Sequence, residues 1–254
     1  MSQLKYGKAQ IVVCQDYADL GEQSATAVAA RMRSLLEAQD EVRIIFAAGQ
    51  SQGSFCPALA RQPDIDWPRV TCFNMDDFWD PRLPRQYTCG YQTEQELYVH
   101  VPCKAYHLVD YKASDPEAEA ARFAALVQAK PIDILCQGIG TSGHLALNEP
   151  GDTDFDDARC LRVVTLVEQS KIQLRDDPNF RDLGYIPDKG ISMTIPAMLT
   201  ARYVYTMVPL ALKKPILTRL LQTLEPSEEL PASIISTVES LLFLDRDSCP
   251  ESLK

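Results

Sequence analysis

The chain has 254 residues, 46% of them hydrophobic and 24% charged, with 35 acidic against 25 basic side chains and a formal net charge of −10. That length suits one large domain with a buried core, and the negative field excludes nucleic acid and anionic membrane as natural partners. An anionic small molecule has to be held here by a few local cations and backbone N–H groups. Eight cysteines (Cys14, Cys56, Cys72, Cys89, Cys103, Cys136, Cys160 and Cys249) are scattered without a CxxC pair. Several sit in apolar runs such as Ile134-Leu135-Cys136, which reads as buried free thiols in a reducing compartment. No signal-peptide pattern opens the chain and no apolar run reaches the ~20 residues of a bilayer span, so the expected location is cytoplasmic.

In chain order, apolar residues at three- and four-residue steps predict a helix over 18–39, followed by a buried strand over 42–48 that ends at Gly49. A second strand over 70–73 closes on Asn-Met-Asp-Asp. The alanine-rich stretch 116–129 is helical, and Pro131 introduces a strand over 132–136. A β-rich run over 203–209 precedes a helix over 213–224, and 241–244, ending at Asp245, is the last strand. The stretch 152–189 is the least regular, being charged and holding Pro178, Gly184 and Pro187; a mobile flap and a plain surface excursion both fit it. With no repeat, low-complexity tract or clear linker, residues 1–254 read as a single domain.

Apolar strands alternating with helices specify an α/β fold, a mainly parallel sheet with helices on both faces. Such sheets bind ligands beyond the carboxyl ends of their strands. Three polar segments follow strand ends here: Gly49-Gln50-Ser51-Gln52-Gly53, Asn74-Met75-Asp76-Asp77, and the run from Gly138 to Glu149.

Gly138-Ile-Gly140-Thr-Ser142-Gly143 matches GxGxxG after a strand. A dinucleotide site needs a substantial helix after the last glycine, and Asn148, Pro150 and Gly151 interrupt the chain there. No cofactor is therefore expected, and the glycines read as a close approach to a smaller ligand or a tight turn. His144 precedes Glu149 by five residues, and a carboxylate within reach of an imidazole can fix its tautomer for proton transfer. No metal is expected, because no second histidine stands at ligand spacing. Asp76 and Asp77 fit a solvated turn or a helix N-cap on one reading and a general base on the other. The segment Gly49 to Ser54 can cradle a phosphate, although no GK[ST] closes it as in a P-loop, and Lys213 with Lys214 can supply the cation or simply be solvated.

In this order the segments resemble the glucosamine-6-phosphate deaminase/isomerase family, which shares a modified Rossmann-like fold with the 6-phosphogluconolactonases. The most specific match runs from Ile132 through Gly-Ile-Gly-Thr-Ser-Gly-His144 to Asn148-Glu149-Pro150-Gly151. Val70 to Asp77 and Ala47-Ala-Gly-Gln-Ser51 match further signatures, and Asn148-Glu149-Pro150 favours the deaminase branch. The resemblance implies conversion of glucosamine 6-phosphate and water to fructose 6-phosphate and ammonia. Lactone hydrolysis, another amino sugar phosphate, or a non-catalytic sugar-phosphate sensor are the alternatives. It implies that Asp76, with Asp77 beside it, moves a proton between C2 and C1. His144 assists ring opening, with Glu149 as its partner. Gly49, Gln50, Ser51, Gly140, Ser142 and Lys213 then lie on the substrate side, joined by a flap cation, Lys171 or Arg175. The expected partner is a small sugar phosphate; homo-oligomers also occur in the family. The chain departs from the pattern at Ser142, where an acid or amide is common, at Asp77, where Glu is usual, and at Gln50 and Gln52 of the phosphate loop.

Overall fold

The computed structural model describes residues 4–176, 180 and 182–253. The first elements are β1 (Lys5–Tyr6), β2 (Ala9–Cys14), α1 (Tyr17–Ala38), β3 (Val42–Phe46), α2 (Phe55–Ala60) and β4 (Val70–Asn74). They are followed by β5 (Asp76–Trp79), α3 (Cys89–Glu96), β6 (Ala105–His107), α4 (Pro116–Gln128), β7 (Ile134–Gln137), β8 (Leu161–Thr165) and α5 (Glu168–Asp176). Next come β9 (Lys189–Met193), α6 (Ile195–Met198), β10 (Tyr203–Val208), α7 (Lys214–Gln222) and β11 (Ser240–Asp245).

Eight strands form one sheet in the order β1-β2-β11-β10-β7-β3-β4-β6, parallel except for the β1–β2 hairpin at one edge. Alternate residues of the central strands face opposite cores. Ile45 and Leu135 pack with Phe123 of α4 and with Leu217 and Leu220 of α7. Ile44, Phe46, Ile134 and Cys136 pack on the other face with Val28 and Met32 of α1 and Leu59 of α2. Burial on both faces is why these strands read as continuous apolar runs, and it confirms the α/β expectation. Asp115 caps α4 through the amides of Glu117 and Ala118, and Pro116 occupies its first turn, where no N–H is needed. All eight cysteines are free thiols.

A second, three-stranded antiparallel sheet, β5-β9-β8, was not expected. Asp76 and Asp77, which suggested a turn or a cap, open β5 instead; Met75 N–H donates to Phe46 and Met75 C=O accepts from Met193, so the chain passes directly from the large sheet into the small one. The stretch 152–189, read as the least regular, holds β8 and α5; its residues 177–179 and 181 lie outside the described residues.

In the large sheet β3 and β7 are neighbours, but the chain leaves β3 toward β4 and leaves β7 toward β10. The reversal opens a crevice beyond their carboxyl ends. Four adjacent strands, β10, β7, β3 and β4, deliver Lys213, the Gly138–Glu149 loop, the Gly49–Ser51 loop and Asp76 to that edge.

Candidate functional site

The two loops beside the crevice touch. A Cβ on Gly138 would lie 2.4 Å from the Ser51 hydroxyl oxygen, so only glycine lets Ser51 seat against the β7 loop. Gly49 has φ +84°, with open space where a Cβ would point, which fits backbone left accessible to a ligand. Its N–H is held by the Gln92 side-chain carbonyl at 3.0 Å, and Gln52 donates to the Ser51 hydroxyl at 3.1 Å. The Gln50 carbonyl accepts from the Tyr17 hydroxyl at 2.8 Å. The Ser51 hydroxyl, with its oxygen accepting from Gln52, keeps its own proton free to donate.

The β7 loop continues in turns after Gly143, with a bridge between Leu145 and Asn148, where a dinucleotide site would need a helix. His144 folds back over Gly140, where a Cβ would sit 2.0 Å from Nε2. Its Nδ1 lies 2.6 Å from Glu149 Oε1 and 2.8 Å from the Ser142 hydroxyl, which donates to Glu149 Oε2 at 2.6 Å. Ser170 of α5 donates to Glu149 Oε1. The single Ser142 proton goes to Glu149, so Nδ1 carries the histidine proton toward the carboxylate and Nε2 is left as the acceptor. Burial pushes the Glu149 carboxyl up, but the bonds from His144, Ser142 and Ser170 outweigh it and hold the group at about 2.

The loop is fixed from behind by Asn148, whose amide donates to the carbonyls of Leu145 and Met193 at 2.9 and 2.8 Å. Arg162 braces this turn by donating to the Asp152 carbonyl at 2.6 Å. Leu147 N–H donates to Ser192 at 3.1 Å, and Ser192 stands opposite Asp76 in the β5–β9 ladder. The histidine loop and the strand bearing Asp76 thus share one rigid support.

Asp76 and Asp77 are both buried but differ in their surroundings. Asp77 accepts N–H bonds from Phe78 at 2.8 Å, Cys89 at 2.9 Å and Gly90 at 2.8 Å, the last two from the first turn of α3. Burial raises it to about 7 as well, while the three N–H bonds and the helix N-terminus pull it back toward the charged form; of the pair, Asp77 is the one whose donors favour the charge. Asp76 has no hydrogen-bond partner among the described residues. Burial raises its carboxyl, and the neighbouring Asp77 charge adds to that, reaching about 7.

Lys213 ends a 3-10 turn just before α7 and is half-buried. Burial lowers its ammonium to about 8, and no carboxylate pairs with it among the described residues. The two flap cations differ: Lys171 pairs with Asp188 at 2.5 Å and Arg175 with Glu168 at 2.7 Å. Of the three candidates, Lys213 alone lacks a counter-ion among the described residues. Ser170, Gln92, Ser192 and Arg162 were not anticipated; each is a polar residue in an irregular or short element, where period carries no signal.

A family model described as glucosamine-6-phosphate isomerases/6-phosphogluconolactonase matches residues 15–243. A glucosamine-6-phosphate deaminase of Lysinibacillus sphaericus is 29% identical over 194 residues, covering 76% of this chain and 85% of the relative. One from Streptococcus sanguinis is 30% identical over 199 residues, covering 78% and 81%. The solved structure of a monomeric glucosamine-6-phosphate deaminase superposes with a TM-score of 0.81 at 24% identity, covering 96% of this chain and 99% of that one. A 6-phosphogluconolactonase from Thermotoga maritima gives a TM-score of 0.71 at 19% identity, covering 92% and 98%. At these identities the two structures establish the shared fold.

Proposed function

Because the chain belongs to the glucosamine-6-phosphate isomerase/6-phosphogluconolactonase family of enzymes, we propose that it converts glucosamine 6-phosphate and water to fructose 6-phosphate and ammonia. The observation that carries this reading is Asp76: a buried carboxyl without a hydrogen-bond partner among the described residues, raised to about 7, on a strand tied through Ser192 to the loop that bears His144. Proton abstraction beside a carbonyl or imine needs a base poised near the working pH.

The phosphate sits on the Gly49–Ser51 loop and Lys213, its charge opposing that ammonium in a half-buried site. His144 takes or gives a proton through Nε2 as the pyranose ring opens, and Glu149 stabilises the imidazolium formed in that exchange. Asp76 removes the proton from C2 of the open-chain sugar and returns it to C1. The amino-bearing C2 thereby becomes an imine carbon; water adds to it, and the C2–N bond breaks to release ammonia and leave the ketone. Asp77, fixed by α3, acts on Asp76 through its charge.

The test is a panel of substrates: ammonia release from glucosamine 6-phosphate and galactosamine 6-phosphate, and hydrolysis of 6-phosphogluconolactone. Turnover of glucosamine 6-phosphate at the highest kcat/KM supports the reading. Preferred hydrolysis of the lactone moves the enzyme to the other branch, and binding without turnover makes it a sensor.

A further inference from the structure

At the opposite end of the large sheet, where β2, β10 and β11 begin, a cavity of about 540 Å³ opens between the β1–β2 hairpin and α1. Its walls carry Lys5 and Lys8 from the hairpin, Arg31 from α1, Tyr203 and Tyr205 from β10, and Glu239. We propose that this basal cavity is a second binding site, for a small phosphorylated metabolite.

Charge makes the first part of the case. The protein has a net charge of −10, yet this cavity gathers three cations against one carboxylate. None of Lys5, Lys8 and Arg31 forms an ion pair among the described residues. Three like charges in one concavity repel each other, an arrangement that an anion relieves.

Arg31 supplies the second part. Its guanidinium lies 3.9 Å over the Tyr203 ring and reaches the Tyr205 hydroxyl, so the side chain is held by aromatic stacking with no acid to anchor it. Its Nε is buried without a hydrogen-bond acceptor. That nitrogen is closed to the cavity, but the half-buried guanidinium lines it, and an oxyanion is the group that a guanidinium fork pairs with best. The two lysines, on an exposed hairpin, can close over the same anion as point charges.

Size and surroundings then fix the class. A cavity of this volume falls in the range of about 300–1,000 Å³ typical of small-molecule sites. The Tyr203 ring offers an apolar wall for the carbon skeleton, and the Tyr205 hydroxyl and Glu239 offer partners for hydroxyls. A polyanionic macromolecule would meet the negative field of the remaining surface. The cavity lies at the amino ends of the parallel strands and the crevice at their carboxyl ends, so the two sites are separated by the length of the sheet. The two occupancies can therefore be measured separately.

The experiment is titration calorimetry with glucose 6-phosphate and with inorganic phosphate, on the unmodified protein and on Lys213→Met, which empties the crevice of its cation. In Lys213→Met the crevice event is expected to weaken roughly 30-fold and the basal event to persist unaltered, tighter for the sugar phosphate than for inorganic phosphate. Arg31→Ala or the double change Lys5→Ser/Lys8→Ser, added to Lys213→Met, is expected to weaken that event at least tenfold. The lysine pair is exposed, so its removal leaves the fold intact even where Arg31→Ala does not. Absence of binding to Lys213→Met, or binding unaltered by the lysine double change, overturns the proposal. Because binding is read without turnover, the outcome is independent of which sugar phosphate the crevice transforms.

Discussion

Replacing Lys213 by Met removes a charge, keeps a long apolar stem, and separates stability from ligand binding. Burial lowers the Lys213 ammonium from its ordinary 10.5 to about 8, a fall worth roughly 3 kcal/mol at about 1.4 kcal/mol per tenfold in proton affinity. Partial exposure trims this to roughly 2 kcal/mol. Below pH 8 the lysine is charged in the folded and unfolded chain alike, and the folded state bears the whole cost; above 10.5 it is neutral in both and the cost is gone. The Met variant should therefore melt roughly 4–8 °C higher at pH 7, at about 2–4 °C per kcal/mol for a chain of this size. The gap should shrink steadily as the pH rises from 8 toward 10. The same change removes the attraction on a phosphate dianion. A unit-charge pair about 4 Å apart gains roughly 4 kcal/mol at an effective dielectric of about 20; the phosphate's own loss of hydration offsets about half of this, and the remaining roughly 2 kcal/mol is a rise in KM of roughly 30-fold. Circular-dichroism melts and ammonia-release kinetics on the same preparations measure both. A Met variant that melts lower at pH 7 and keeps its KM refutes the reasoning.

The pH profile of kcat/KM should be a narrow bell. It rises as Asp76, raised to about 7, loses its proton and falls as Lys213, lowered to about 8, loses its charge. Asp77→Asn removes the like charge beside Asp76 and should move the acid limb to lower pH, which the same assay reads. Ser142→Ala and Ser170→Ala each take a donor from Glu149; with charged-group hydrogen bonds worth about 1.5–3 kcal/mol, kcat should fall roughly 10–100-fold with KM little changed. Gly140→Ala would place a Cβ 2.0 Å from His144 Nε2, so kcat should fall more than about a hundredfold, the cost of a misplaced catalytic group, and the melting temperature should also drop, since the buried Glu149 loses a donor.

The strands that carry the crevice were legible because they are buried on both faces: Val42–Phe46 and Ile134–Gln137 are runs with no exposed residue. Lys189–Met193 has no such signature, since Lys189 is exposed, Gly190 has no side chain and the strand pairs only within a small antiparallel sheet. Asp76 and Asp77 looked alike in sequence because nothing local distinguishes them. The difference comes from the amides of Cys89 and Gly90, more than ten residues away. His144 and Glu149 could be paired from their spacing, whereas the Ser170 hydroxyl reaches Glu149 only because α5 packs there. Ser142 looked like a lost acid; in the fold its hydroxyl bonds both His144 and Glu149, so it braces the pair through hydrogen bonds where an acid would do so through charge.

The central claim is that Asp76 transfers the proton between C2 and C1 of an amino sugar phosphate. The most direct test runs the reaction on glucosamine 6-phosphate in deuterium oxide, with NMR detection at C1 of the fructose 6-phosphate formed, for the unmodified protein and Asp76→Asn. The account has one carboxyl take and return the proton, so it predicts, with the unmodified protein, at most one deuterium at C1, on a single face, in proportion to the exchange of the Asp76 proton with solvent. It also predicts a folded Asp76→Asn variant that still binds the phosphate but releases ammonia at least about a thousandfold more slowly, as expected when a catalytic base contributing about 10²–10⁴-fold is removed. Turnover by Asp76→Asn within a few-fold of the unmodified rate, with deuterium still appearing at C1, would contradict it.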